Sequence, residues 1–142
     1  MSCLRLRIII ALAFAWPSLN PAEVVINEIH YDADPKTDAV EFVELFNASD
    51  AAADLSGWCF SSGIEFAFPA NTVLRPSAYL VVAEDPVELR RKFKLNASVV
   101  LGPYVNRLSN GETLTLRDAA DQRVDRVDYG SGFPWPTAAS GA

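Results

Sequence analysis

Few residues in this chain could carry chemistry. It holds one histidine, His30, and two cysteines, Cys3 and Cys59. That inventory excludes a zinc site built from Cys and His clusters, and any Ser-His-Asp or Cys-His device would have to run through His30 alone. Standing next to Tyr31, His30 reads as a strand-end residue rather than a catalytic base. Asp32, Asp34 and Asp38 share one short loop, with Glu41 just beyond it. Oxygen ligands at alternating loop positions suit a hard cation such as calcium. The glycine and the bidentate glutamate of a calcium loop are missing at the required offsets, however, and Pro35 stiffens the middle. The loop is read as a solvated turn, with a calcium site as the alternative.

Paired carboxylates face a geometric test. Glu41 and Glu44 stand three apart on one strand, so they project from opposite faces. They cannot flank a glycosidic bond together, as the two acids of a glycosidase must. Glu28 is placed on the Ile26 face of the first strand, and Glu44 on a face with Phe42 and Phe46. Carboxylates half-buried there need hydrogen-bond donors. Both are expected to accept backbone N–H groups from adjacent loops, the Asp54-Leu55-Ser56-Gly57 turn among them, with ligand binding as the other reading. No catalytic, cofactor-binding or metal-ligating residue is assigned, and no cofactor is expected. Asn47-Ala48-Ser49 and Asn96-Ala97-Ser98 match the N-glycosylation sequon, which matters only in a eukaryotic secretory pathway.

The elements that would position these residues are short strands between turn signals. Residues 24–31, 40–46, 58–61, 64–68, 78–83, 112–116 and 123–129 read as strands, which points to an all-β sandwich. Trp58, following a Ser-Gly turn, is expected to anchor the core between the sheets. Val124 and Val127 are an odd number apart, so a bulge separates them or both faces are covered. Asn110-Gly111 reads as a tight turn, and residues 118–122 as the tip joining the last two strands. One helix interrupts the pattern: Asp85 caps it, Pro86 takes its first position and Glu88 follows three after the cap. Leu89 and Phe93, four apart, would share its buried face. Arg90, Arg91, Lys92 and Lys94 are read as its solvated face rather than as an anion site.

Length and composition bound the rest. A chain of 142 residues, half of them hydrophobic and 21% charged, fits one folded domain and no disordered or fibrous class. Residues 1–22 read as a secretory signal peptide: Arg5 and Arg7 without an acid, an unbroken apolar run over 8–16, then Pro17-Ser18-Leu19-Asn20-Pro21-Ala22. The apolar run is too short for a bilayer, which needs roughly 20 residues, so no transmembrane span is expected once the signal is removed. The whole chain carries net charge −6. Without residues 1–22 the balance is ten basic against 18 acidic groups, or −8. That argues against nucleic acid as a partner. Cys59 would then be a single cysteine, read as a small buried hydrophobe beside Trp58 and Phe60.

The order of short strings resembles the lamin-tail domain family. Val25-Ile26-Asn27-Glu28-Ile29 opens it, followed by Glu41-Phe42-Val43-Glu44-Leu45-Phe46-Asn47 and Asp54-Leu55-Ser56-Gly57-Trp58. Phe66-Ala67-Phe68-Pro69, Tyr79-Leu80-Val81-Val82-Ala83 and Leu108-Ser109-Asn110-Gly111-Glu112 continue it. Val127-Asp128-Tyr129 and Pro134-Trp135-Pro136 end it. With a signal peptide and no coiled-coil rod, the chain looks like the exported prokaryotic branch rather than a nuclear lamin. The resemblance implies an immunoglobulin-like β-sandwich over residues 23–136, used as a non-catalytic interaction or surface-attachment module, secreted or at the cell surface. Its partner would be an unknown protein or cell-surface ligand. Such domains sit beside hydrolases, spore-coat-type kinase domains or cell-surface repeats, so an accessory role in a larger secreted hydrolase is an alternative. So is a carbohydrate- or calcium-binding module, although a carbohydrate binder would show exposed aromatics on one sheet, and Trp58 and Trp135 look like core or turn residues. Family members run on into a closing apolar strand. Residues 137–142 are therefore read as a C-terminal tail that ends before it.

Overall fold

The computed structural model describes residues 23–31 and 39–130. The expectations for residues 1–22, for the 32–38 loop and for Pro134-Trp135-Pro136 and the tail fall outside them. Along the chain run β1 (Val24–His30), β2 (Phe42–Asn47), β3 (Ala53–Asp54), β4 (Cys59–Ser62) and β5 (Phe66–Ala67). Next come β6 (Val73–Leu74), β7 (Tyr79–Ala83), α1 (Pro86–Phe93), a 3₁₀ turn (Ala97–Val99) and β8 (Val100–Leu101). β9 (Gly111–Arg117) and β10 (Arg123–Gly130) complete the order. One sheet is ordered β1-β2-β7-β8, the other β10-β9-β4-β5, and β3 and β6 form a separate ribbon. This is the all-β, immunoglobulin-like sandwich with one short helix that the sequence implies.

Alternation decides which side chains meet. Val43 and Leu45 of β2 and Leu80 and Val82 of β7 turn inward onto Phe60, Leu114, Leu116 and Tyr129 of the second sheet. The other face of β7 is covered too. Val81 and Ala83 lie in a smaller core with Val40, Val100 and Leu89 of α1. Burial on both faces explains why β7 is an unbroken apolar run. The same helix makes the crossover that lets β8 pair with β7 in parallel.

The helix starts as the sequence implies. Asp85 Oδ1 accepts from Val87 N at 2.9 Å and Glu88 N at 3.0 Å, with Pro86 at the first position. Its buried face is narrower than expected, since Leu89 is buried whereas Phe93 is 47% exposed. The reason is where the helix is held. At Gly102 a Cβ would come within 2.3 Å of Ala83 O and 2.9 Å of Pro86 Cγ. Gly102 thus lies close against both the end of β7 and Pro86 at the start of the helix, and Leu89 is the helix residue buried on Val81, Ala83 and Val100. Asn110-Gly111 forms no hairpin turn: it enters β9, whose neighbours are β4 and β10. The 118–122 tip does join β9 to β10, closed by Asp118 N donating to Gln122 O at 2.9 Å. Register in β10 shifts between Arg123 and Asp125, a bulge that lets both Val124 and Val127 pack on the core.

Asn47 is the most deeply buried polar side chain of this apolar frame among the described residues. Asn47, fully buried at the end of β2, donates from Nδ2 to Ala51 O at 2.8 Å and to Leu74 O at 3.0 Å. Its Oδ1 accepts from Ser49 N at 3.1 Å and Ser49 Oγ at 2.7 Å. It thereby ties the β3–β6 ribbon to the first sheet. Burial closes this sequon to a glycan in the folded chain, whereas Asn96 of the second sequon is exposed. Truncating Asn47 to alanine takes a donor from the buried Leu74 carbonyl, at a cost of about 1–3 kcal/mol, while Ala51 O keeps the bond from Ser49 Oγ at 2.9 Å. Asn47→Ala should lower the unfolding free energy by about 1–3 kcal/mol with an unchanged denaturant slope. A loss under about 0.5 kcal/mol, within the range of ordinary surface changes, would mean the amide does not hold the ribbon.

Candidate functional site

The outer face of β1-β2-β7 follows from one irregularity. Register between β1 and β2 slips between Ile26 and Glu28, leaving Asn27 as an extra residue. Ile26 and Ile29 therefore both pack on the core. Glu28 moves to the outside, not to the Ile26 face expected from strict alternation, and lies exposed directly opposite Glu44. The half-buried Glu44 accepts from Asn27 Nδ2 at 2.8 Å, a side chain and not a loop N–H. Like charges opposite one another in a sheet repel. Ring pairs lie on either side of this acidic row. His30 stacks on Phe42 with centroids 5.1 Å apart, and Phe46 meets Tyr79 at 4.7 Å. Tyr79 is 49% exposed. The alternation Phe42-x-Glu44-x-Phe46 against the inward Val43 and Leu45 was the signal for this face.

A groove opens at one end of the sandwich, where β1 and β10 lie side by side. Ile26 N donates to Asp125 Oδ2 at 2.8 Å, joining the two sheets at that edge. The groove has a volume of about 1150 Å³ and runs between the start of β1, the 48–54 segment, the 118–122 tip and Trp58. Its acids are Glu23, Asp50, Asp54, Asp118 and Asp125. Hydrogen bonds from Ser56 N at 2.9 Å and Ser56 Oγ at 2.5 Å hold the Asp54 carboxyl below the usual carboxylate range. Asp118 is fixed by Ala120 N at 2.9 Å and Gln122 N at 2.8 Å. Trp58 is half-buried rather than enclosed between the sheets. Gly57, at φ +74°, turns the chain just before it, at the end of the sheet, so the indole packs on the core and also forms a wall of the groove. Cys59 is a free thiol, half-buried rather than fully enclosed.

The carboxylate that is buried is Glu41, at the inward parity of Val43, Leu45 and Asn47. It and Glu44 do point to opposite faces. Glu41 Oε1 meets Arg107 Nη2 and its Oε2 accepts from Leu108 N, both at 3.3 Å. Arg107 Nε lies 3.3 Å from Glu84 Oε1, so one guanidinium joins both acids. Glu84 Oε2 and the Tyr104 hydroxyl are buried without a hydrogen-bond partner among the described residues. Burial and the charges of Glu41 and Glu84 push the Tyr104 hydroxyl up, which keeps it neutral. With the guanidinium between them, the two acids form an ion triad rather than an open acid–base pair. Among the described residues no three His, Cys, Asp or Glu side chains converge as a metal site.

Glu84 carries a pH signature. Burial first, then the Glu41 charge, raises its pKa above the ordinary 4.5. The folded state thus holds this proton more tightly than the unfolded one. The contribution is fully present below 4.5 and is lost as pH rises through the elevated folded value. Glu84→Gln should accordingly melt higher than the parent at pH 7, with the gain shrinking to nothing by about pH 4. A lower melting temperature at pH 7 would show that the Arg107 ion pair outweighs the desolvation.

The match of the lamin tail domain model covers residues 17–131, all the described strands included. No curated protein matches the chain. The strings that carry the resemblance are the structural parts just described: Asn47 ends the β2 string, Asp54 and Gly57 shape the turn before Trp58, and Tyr129 closes the core. The chain belongs to the lamin tail domain family.

Proposed function

We propose that the chain is a non-catalytic interaction module that works outside the cytoplasm, secreted or attached at a cell surface, as in the exported prokaryotic branch of its family. Lamin tail domains are non-enzymatic immunoglobulin-like domains typically involved in interactions. The observation that carries the reading is the outer face of β1-β2-β7, where two ring pairs stand exposed or half-exposed around the Glu28/Glu44 row. A solvated sheet face ordinarily carries polar residues; exposed aromatics mark places where another surface is met. Export is supported by the basic, apolar and helix-breaking order of residues 1–22. Among the described residues no helix is long and apolar enough to cross a membrane.

The same rings favour a carbohydrate as the second reading. Tyr79 and Phe46 offer a ring surface beside Glu44 and the Asn27 amide, which can take hydroxyl groups. Two measurements test the proposal. Residues 1–22 placed ahead of alkaline phosphatase should give active enzyme outside the cytoplasm; a reporter that stays inside contradicts export. The purified chain should be retained on envelope material of the producing cells, and Phe46→Ser with Tyr79→Ser should release it without lowering its melting temperature. Retention of that folded double variant would remove the sheet face from the function. Loss of retention on adding soluble envelope oligosaccharides would select the carbohydrate reading.

A further inference from the structure

The groove at the sheet edges is a second surface, independent of the aromatic face. Among the described residues its charged groups are all acidic: Glu23, Asp50, Asp54, Asp118 and Asp125 line it beside Trp58, with no lysine, arginine or histidine. A cleft lined by one sign of charge concentrates the opposite sign, so its occupant is cationic. The placement of the acids chooses among cations. They are strung from the start of β1 across the 48–54 segment to the 118–122 tip, and no three of them converge as a metal site. A single ion could meet only one end of the row. At about 1150 Å³ the groove is also larger than the roughly 300–1,000 Å³ of small-molecule pockets. Beside the acids, Trp58 offers a half-buried ring that attracts a guanidinium or ammonium, and the half-buried Val25 and Val124 can take methylene stems.

We infer that this groove binds an extended, lysine- or arginine-bearing segment of a partner polypeptide. The separated carboxylates meet successive cationic side chains, while Trp58 and the valines pack against their stems. Asp54, Asp118 and Asp125 are already fixed by hydrogen bonds within the chain. Glu23 and Asp50, both exposed, can therefore be changed with the least damage to the fold.

The probe is a fluorescein-labelled peptide of alternating arginine and glycine, titrated with the purified chain and read by anisotropy. Glu23→Gln with Asp50→Asn should weaken binding roughly tenfold. Glu65→Gln with Asp128→Asn removes the same net charge from exposed positions outside the groove and should leave binding unchanged. Affinity should fall as salt rises, and peptide should shift the indole emission, a shift that Trp58→Phe abolishes. Equal weakening in the two double variants would reduce the effect to net charge and overturn the assignment, as would undiminished binding by the Glu23/Asp50 variant. Spermine displacing the peptide at equal charge concentration would overturn the polypeptide as occupant.

Discussion

The side-chain amide of Asn47 fixes where the chain leaves the first sheet, and much else is placed by that exit. With no charge and both donor and acceptor atoms, it satisfies the Ala51 and Leu74 carbonyls and the Ser49 amide inside an apolar frame. An aspartate there would lack the donors. A leucine would take this donor from the buried Leu74 carbonyl. Because Asn47 holds residues 49–51 and the β3–β6 ribbon, it also sets one wall of the acidic groove, while Asp125 holds the opposite wall by gripping Ile26 N. Two polar side chains, Asn47 and Asp125, thus position the walls of the acidic groove.

Two bulges perform the complementary task of choosing faces. An extra residue in a strand reverses the orientation of everything after it. At Asn27 this sends Glu28 and His30 outward while keeping Ile29 and Tyr31 in the core. At Val124 it brings a second valine to the core beside the groove. The exposed aromatic face and the groove therefore arise from the same kind of local defect, placed on the two strands that meet at the sheet edges.

The strands with a long enough pattern were legible in the sequence: β1, β2, β7, β9 and β10 lie where alternation or an apolar run puts them. β3, β6 and β8 were not, because two residues carry no period and their pairing depends on distant partners such as Leu74 for Ala53. The helix cap was readable from Asp85-Pro86, whereas the exposure of Phe93 depends on which part of the helix meets Val81, Ala83 and Val100. At the level of the site, the opposite faces of Glu41 and Glu44 followed from spacing. The buried role of Glu41 followed from the same parity but was assigned to Glu28 and Glu44, because the Asn27 bulge has no sequence signal of its own. Trp58 was recognised as a packing residue, but its second side, open to the groove, is set by the sheet ending there.

The bond between Ile26 and Asp125 spans 99 positions. During synthesis the amide of Ile26 leaves the ribosome early, and its acceptor arrives only after nearly every other strand has been made. The first hairpin can pair β1 with β2 by itself, yet the edge of β1 that faces β10 stays unjoined until β10 has been made. Contacts of such separation slow folding, and an unjoined strand edge in an unfinished chain is open to pairing with a neighbour. Here the waiting edge carries Asn27 and Glu28 at its bulge, and a bulge and a charge are the features that blunt such pairing. The irregularity that shapes the finished surface thus also shields the nascent chain while it waits for β10.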